Sequence, residues 1–486
     1  MNRPYARMRR PGGYAKRMLA SVAVALAAAA SLAAAATAAS PAPSPAQSGT
    51  TGAWSPGADA STTTQAYVTR FYPRFFTDHQ QLGPVATPVG PNRMGPLWGV
   101  VVAPNDDTIY AQMRLDLSKG PQVLTIPATT ASYSILTVDV FGDVLHTGIP
   151  NTPGQYALVL PGFDGSLPQG VTPITVPYTF TFWTIRADRF TNGASSESAA
   201  TAFRKSLQVQ SLASFDPSNT AGNALVLPLK LFKKQWKTVA DNMIRTSPVL
   251  FLTKLQSAMH SSLTSPLTSS DTALSSAFDA DLAAAERSAT AGSPQLLNQI
   301  KKATQAAHAA IVNDWTSHTV QGKWVYFDNI GNWGTNYLDR AATAEFLLFG
   351  NDVGTAKYFD AFTDATGAQL TGAGNRAYRL TFPAGAIPQA ERFWSLTAYI
   401  PPGITLVPNK ASKYAVASYT SGLKTNPDGS ITIYLQPNPP AAALKPNWLP
   451  VPSGPFSVIL RVYGPDGNTS SQSYAPPGIS LNKPQK

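Results

Sequence analysis

Two blocks of the chain alternate apolar and polar residues, and each block predicts a set of β-strands. In the first block Ile109, Ala111, Met113 and Leu115 alternate with larger or polar neighbours, which is the period-two pattern of a half-buried strand. Gly, Pro and Asp residues separate such segments at the spacing of a sandwich or barrel. The further segments are 133–141, 156–160 and 178–185 in the first block, and 378–382, 392–400, 414–419, 431–436 and 456–463 in the second.

Between the two blocks the apolar residues recur every three or four positions, which predicts α-helices. The periodic segments are 202–212, 273–287 and 296–315, and a further helix is predicted over 339–350. One face of the third segment is apolar along its whole length and is predicted to pack in the core. This stripe consists of Leu296, Ile300, Ala303, Ala307 and Ile311.

The patterns together predict a mostly β protein with a helical insert. A short helix over 64–71, ended by Pro73, is expected to open the first β block, because proline interrupts helical hydrogen bonding. The predicted parts are a signal peptide at 1–39, a flexible Pro/Ala/Ser linker at 40–61, an N-terminal β-sandwich domain at 62–190, a helical insert and connector at 191–350, and a C-terminal β-sandwich domain at 351–486.

The first residues of the chain have the composition of an export signal. Six basic residues precede an apolar, alanine-rich run over 18–30, and small residues follow it, as in a cleavable signal peptide. The apolar run is short for a membrane span, so no stable membrane insertion is expected after the signal is removed. We therefore predict a secreted, extracellular or periplasmic protein.

Charge and composition exclude several classes of function. Much of the net charge of +11 comes from the N-terminal basic residues, so no basic surface for nucleic acid is predicted. The chain has no cysteine, and its five histidines follow no metal-binding spacing, so neither a metal site nor a cofactor is predicted. The linear motifs of nucleotide-binding loops and of the serine-hydrolase elbow are also missing from the sequence.

Long motifs in both β blocks resemble a known family. They are VVAPNDDTIYAQMRLDLSKGP in the first block, and RFWSLTAYIPPGITLVPN, NPDGSITIYLQP and NWLPVPSGPFSVILRVYGP in the second. In these motifs the chain resembles bacterial exported proteins that combine the domain of unknown function 1254 with the domain of unknown function 1214. The resemblance implies two jelly-roll-like antiparallel β-sandwich domains with a helical part between them, and it implies no reaction.

Carboxylates at turns are the candidates for catalysis. Asp107 lies in the turn that precedes the strand at 109–115, where its role is either to cap backbone N–H groups or to bind a ligand. Asp139, Asp143 and His146 fall in one predicted hairpin, which can bring an acid and a base together. With Glu391 they form the candidate set of a carboxylate-dependent hydrolase. Glycosidic bonds are one candidate substrate class, and their hydrolysis needs two carboxylates roughly 5–10 Å apart.

Aromatic and polar side chains near the strands favour a different function. Exposed rings beside amide, carboxylate and guanidinium groups are what a glycan-binding face needs, so binding of a glycan or another small polar ligand is the leading prediction. A structural or assembly module is a third alternative, and the sequence alone leaves enzymatic activity open. The predicted ligand-binding residues are Asn105, Asp107, Tyr110, Trp394, Tyr399, Trp448 and Arg461.

Overall fold

A computed structural model describes residues 54–80, 83–191, 193–263 and 265–482. The predicted signal peptide lies outside these residues. The end of the predicted linker lies within them and is folded, because the indole of Trp54 donates a hydrogen bond to Thr63 (3.2 Å) and the ring packs against the core. The first helix, α1, spans Ala60–His79 with Asp59 as its N-cap.

Helix α1 is much longer than the predicted segment 64–71, and Pro73 does not end it. Proline removes one backbone hydrogen bond from a helix interior. In α1 that loss is offset by packing, since nearly every side chain from Thr63 to Thr77 is buried. The prediction of a helix stop at Pro73 was therefore wrong.

The first β block contains two sheets that share one core. Its five-stranded sheet has the order β11, β1, β2, β7, β4, and its four-stranded sheet the order β10, β3, β5, β6. The strands are β1 (Val89–Pro91), β2 (Thr108–Asp116), β3 (Gln122–Ile126), β4 (Tyr133–Val138), β5 (Gly154–Val159), β6 (Val171–Thr175), β7 (Phe180–Asp188), a small hairpin of β8 (Phe190–Thr191) and β9 (Ala194–Ser195), β10 (Gln208–Ser211) and β11 (Leu225–Leu227).

The region between the β blocks is helical, as predicted, although it also supplies the edge strands β10 and β11. Its helices are α2 (Glu197–Ser206), α3 (Trp236–Thr246), α4 (Pro248–Met259), α5 (Ser269–Thr290), α6 (Gln295–Ser317) and α7 (Tyr337–Phe346). The predicted apolar stripe lies on α6, where Ile300, Ala303, Ala307 and Ile311 are buried and Leu296 packs against the same core.

The second β block repeats the arrangement of two sheets around one core. Its five-stranded sheet has the order β12, β19, β14, β15 with β16 also paired to β14, and the second sheet has the order β18, β17, β13, β20. The strands are β12 (Ala356–Ala361), β13 (Tyr378–Phe382), β14 (Ala390–Ile400), β15 (Thr405–Leu406), β16 (Ala415–Ala417), β17 (Ile431–Gln436), β18 (Trp448–Pro450), β19 (Ser457–Pro465) and β20 (Ser480–Leu481).

The prediction of purely antiparallel sheets was wrong. Strands β1 and β11, β5 and β6, and β17 and β18 pair in parallel, so the sheets are mixed. In each of these pairs an edge strand joins its neighbour without a hairpin turn, so no turn sets its direction as antiparallel.

The side chains of β2 and β19 divide between two environments. Ile109, Ala111 and Met113 face the core of the first block, and Val458 and Leu460 face that of the second. The opposite faces of both strands belong to a third and larger core, which also contains the helices. The helical insert and the two β blocks therefore meet in this third core.

Candidate functional site

The segment from Val101 to Asp107, here called the joint segment, runs between the two β blocks. Its carboxylate Asp107 is fully buried and accepts hydrogen bonds from the hydroxyls of Ser395 (2.7 Å) and Tyr419 in the second block. Burial raises the pKa of Asp107, although these hydrogen bonds oppose the shift. The acidic turn therefore fastens the two blocks to each other.

Other atoms of the joint segment also bond to the second block. The side-chain amide of Asn105 donates to the hydroxyl of Tyr463 (2.7 Å), and the carbonyl of Pro104 accepts from the hydroxyl of Tyr399 (2.8 Å). The carbonyl of Ala103 accepts from the guanidinium of Arg461 (2.6 Å). Asn105, Tyr399 and Arg461 were predicted as ligand-binding residues, and each makes a buried contact in this joint.

A salt bridge closes one edge of the same interface. The guanidinium of Arg392 on β14 binds the carboxylate of Asp188 on β7 through two hydrogen bonds. Because Asp188 is only 1% exposed, this pair is largely shielded from water. Beside it, Arg189 pairs with Asp106 (2.8 Å) within the first block.

A cavity lies between the facing sheets, and we call it the interdomain cavity. Its polar wall is made of two cross-strand pairs, Tyr110 with Arg186 on β2 and β7, and Tyr358 with Arg461 on β12 and β19. Tyr463 completes this wall. The volume that the centres of water molecules can occupy in this cavity is about 40 Å³. One water needs roughly 10–15 Å³ by this measure, so the cavity has room for a few waters or one small group.

The two arginines of the cavity are buried and bind only neutral partners. Arg186 is 6% exposed and donates to the side-chain carbonyl of Asn351 (2.8 Å), while its Nε has no hydrogen-bond partner among the described residues. Arg461 is 2% exposed and donates to Tyr399 (2.7 Å) and to the Ala103 carbonyl. Within the described part of the chain, neither guanidinium has a carboxylate at ion-pair distance.

Nearby acids compensate this positive charge only in part. Asp107 and Asp360 both attract Arg461 electrostatically. Burial nevertheless raises the pKa of Asp360 to about 8, so this group is mostly protonated at neutral pH. Guanidinium groups stay charged in proteins, and the cavity therefore has a positive potential.

Two tyrosines of the cavity can donate hydrogen bonds into it. The hydroxyl of Tyr463 accepts from Asn105, and that of Tyr358 accepts from the backbone N–H of Asn351 (3.1 Å). Both hydroxyl protons remain without an acceptor among the described residues. A phenol that already accepts one bond is ready to donate its own proton, so these groups add to the donor set of the arginines.

Strained backbone borders the same cavity. Ala103 has φ 51° and Leu348 has φ 66°, a conformation that costs side-chain-bearing residues about 1–2 kcal/mol. Both residues line the cavity. Such strain tends to cluster at ligand-binding sites, where the surrounding structure holds it in place.

Two of the predicted catalytic carboxylates lie together at the end of β4. Asp139 accepts backbone hydrogen bonds from Phe141 (2.8 Å) and Asp143 (2.9 Å), and Asp143 pairs with Arg340 of α7 (2.7 Å). These contacts hold the end of β4 against the helices, whereas Asp107 lies at the interdomain joint. His146 and Glu391 are both exposed. None of the contacts of Asp107 is with Asp139, Asp143 or Glu391, so the contacts do not support a cooperating pair of Asp107 with one of these carboxylates.

The rings predicted to bind a glycan are buried. Trp394 is 3% exposed and packs in the core of the second block, and Trp448 is 8% exposed with its indole N–H bonded to the Gln436 carbonyl (2.8 Å). Tyr399 is also fully buried. Because stacking on a sugar requires an exposed ring face, glycan binding by these rings has no support.

Two His–carboxylate clusters lie in the helical region, and the sequence motifs gave no sign of them. In the first, the ammonium of Lys237 lies between Asp241 (3.0 Å) and Glu345, and His308 adjoins the same carboxylates. We call these four residues the buried tetrad. Lysine occupies the position that a cation would take there, so the tetrad is internally neutralised.

The second cluster joins Asp314 and His318 at the end of α6 to Asp339 of α7. One ligand atom from each residue lies within 4.8 Å of the others, and these donor types suit divalent metal ions. Burial, together with the neighbouring Asp339, raises the pKa of Asp314 to about 7. These residues could hold a cation, and Asp314 and His318 reach the same place from one face of α6 because they are four positions apart.

The fold and the cavity together define a class: two-block β proteins joined by a helical insert, with a cationic cavity at the interdomain joint. Among the described residues, no helix is long and apolar enough to cross a membrane. Neither observation by itself identifies a reaction.

Family models identify the two blocks. The model described as protein of unknown function DUF1254 matches residues 81–211, and that described as protein of unknown function DUF1214 matches residues 355–467. The chain therefore belongs to the proteins that combine these two domains, as its motifs predicted. A comparison with curated proteins finds no match.

Two solved structures are similar to this chain. The VPA0106 protein from Vibrio parahaemolyticus shares 18% sequence identity with a TM-score of 0.54, over 87% of this chain and 100% of that chain. A putative uncharacterized protein from Burkholderia cenocepacia shares 13% identity with a TM-score of 0.40, over 86% of both chains. The first similarity shows that the fold, with both blocks, is shared.

Proposed function

We propose that the protein binds a small organic anion in the interdomain cavity. The observation that carries this proposal is the pair of buried arginines, Arg186 and Arg461, whose partners are neutral. A buried charge is costly unless an opposite charge compensates it. A carboxylate or phosphate group between the two guanidinium groups would supply that compensation through charge-assisted hydrogen bonds.

The position of the cavity supports binding as well. Each β block contributes one Tyr–Arg pair, so an anion held by both pairs would bridge the two blocks. Ligand sites commonly lie at domain interfaces with a few convergent polar groups. The proposed ligands are therefore small polar molecules. Glycans stacked on Trp394, Tyr399 or Trp448 are not among them, because these rings are buried.

Calorimetric titration of residues 54–486 with phosphate, acetate and succinate tests the proposal. We expect at least one of these anions to bind and to raise the melting temperature, because a ligand of the folded state stabilises it by about 2.7 kcal/mol at a hundredfold excess over Kd. Arg186→Met should weaken that binding by about 10-fold to 100-fold, since a hydrogen bond to a charged group contributes about 1.5–3 kcal/mol.

Arg204→Met is the matched control. Arg204 is also a buried arginine of the first block, 4% exposed, and it donates to the carbonyl of Pro91 (2.5 Å) outside the cavity. This variant should bind the anion as the unaltered protein does. Equal weakening in both variants, or no binding of any of the three anions, would contradict the proposal.

We also propose that the mature protein functions outside the cytoplasm. The support is the composition of residues 1–39, in which a basic segment precedes an apolar run. Fractionation of cells expressing the full chain tests this, with N-terminal sequencing of the product. Recovery of the uncleaved chain in the cytoplasm would count against export.

A further inference from the structure

A second, smaller cavity adjoins the interdomain cavity along strands β2 and β7. It offers about 20 Å³ to the centres of water-sized molecules, and we call it the side chamber. Gln112, Thr184 and Phe349 line both spaces. The two cavities are therefore adjacent, and Gln112 and Thr184 belong to the same strands that carry Tyr110 and Arg186.

The side chamber differs from the interdomain cavity in its chemistry. Its walls are mostly apolar and include Val89, Val100, Phe182 and Phe232, all of them buried. The arginine at its far end, Arg114, already donates to the carbonyl of Gly83 (2.8 Å) and interacts electrostatically with Asp78. The chamber is therefore suited to an apolar group and offers little to a second anion.

The partition between the two spaces can open by side-chain motion. Gln112 is only half-buried, and its side chain makes no hydrogen bond with the described residues. The side chain of Gln112 can therefore change rotamer without breaking a hydrogen bond to the described residues. The ring of Phe349 closes the other side and lies next to Gly142.

From this adjacency we propose that the ligand is a monocarboxylic acid with a short apolar group. Its carboxylate binds between Arg186 and Arg461, and its apolar group enters the side chamber past Gln112. This inference rests on the proposed function, because it needs the anion in the interdomain cavity. It adds the class of ligand, namely a short aliphatic acid.

Titration with acetate, butyrate and hexanoate tests the inference, because these acids share one head group. Burial of each methylene group contributes to affinity, and we expect binding to tighten roughly threefold to fourfold per methylene until the chamber is full. Affinity that stays equal from acetate to hexanoate would overturn the inference and leave the proposed function standing. No binding by any acid or by phosphate would instead remove the proposed function.

Substitutions at Val100 locate the apolar group. Val100→Phe fills the chamber and should abolish the gain with chain length while acetate binding persists. Val100→Ala enlarges the chamber and should move the preference toward longer acids, which keeps the test decisive if the larger side chain prevents folding. Val123→Ala, in a separate buried cluster of the first block, controls for a general loss of stability. A chain-length preference unaffected by both Val100 variants would place the apolar group elsewhere and overturn the inference.

Discussion

His308 in the buried tetrad should make the stability of the protein depend on pH. Its imidazole lies near Asp241 (3.5 Å) and Glu345 (3.6 Å), and its side chain is 18% exposed. Burial by itself lowers the pKa of His308, but its interactions with the two carboxylates outweigh that effect and raise the pKa to about 9. The folded state therefore holds the proton more tightly than the unfolded chain does.

The size of the effect follows from this shift. An unfolded histidine titrates near 6.5, and each unit of difference corresponds to about 1.4 kcal/mol, so a pKa of about 9 for His308 gives roughly 3 kcal/mol. This stabilisation is fully present below pH 6.5 and is lost as the pH rises to 9. His308→Gln should remove it at pH 6 and change little at pH 9.

Urea unfolding of residues 54–486 at pH 6, 7.5 and 9 measures the effect. The difference in unfolding free energy between the unaltered protein and His308→Gln should fall from about 3 kcal/mol at pH 6 toward zero at pH 9. His260→Gln is the control, since His260 is 58% exposed and pairs with Asp279 on the surface. A difference for His308→Gln that is the same at pH 6 and pH 9 would refute the reasoning.

Three further substitutions, one at the end of β4 and two at the joint, are tested by urea unfolding. Burial, and then Asp143, raises the pKa of Asp139 to about 7, so the cost of ionising it grows from about pH 4 to pH 7 and stays constant above. Asp139→Asn should therefore stabilise the protein by about 2–4 kcal/mol at pH 8 and by little at pH 4, and an equal effect at both would contradict this. Asp107→Ala removes the acceptor of two buried hydrogen bonds and should cost about 2–4 kcal/mol, whereas a cost below 1 kcal/mol would argue against the joint. Arg392→Met leaves Asp188 buried without its partner and should cost about 3–5 kcal/mol, and a cost below 1 kcal/mol would argue against a shielded pair.

The strands that the sequence predicted well are those whose local alternation of apolar and polar residues defines both faces. The limits predicted for β13 and β17 coincide with the structure. In β19 the alternating residues Val458 and Ile459 lie on opposite faces, and each face packs in a different core. Edge strands such as β11 and β18 are three residues long. Such strands are too short to show a period in the local sequence.

The cavity was predictable only in part for the same reason. Tyr110 and Arg461 were among the predicted ligand-binding residues. Arg186 lies one residue beyond the predicted strand 178–185, and Tyr358 belongs to β12, which the alternation did not predict. The strand registers place Tyr110 beside Arg186 and Tyr358 beside Arg461, and the contact between the two blocks brings the two pairs together. The blocks are more than a hundred residues apart in the chain, so a local pattern shows neither the registers nor the contact.

The charges at the joint fall into two groups. The acidic groups Asp107 and Asp188 accept hydrogen bonds from Tyr419 and Arg392, which satisfies them and joins the blocks. Arg461 also joins the blocks, because it donates to the Ala103 carbonyl. The interface nevertheless buries Arg186 and Arg461 without a carboxylate at ion-pair distance, although apolar residues of similar size would pack there at lower cost. Holding the blocks together does not account for that cost, whereas the proposed anion site would, since an anion between the two guanidinium groups compensates both charges.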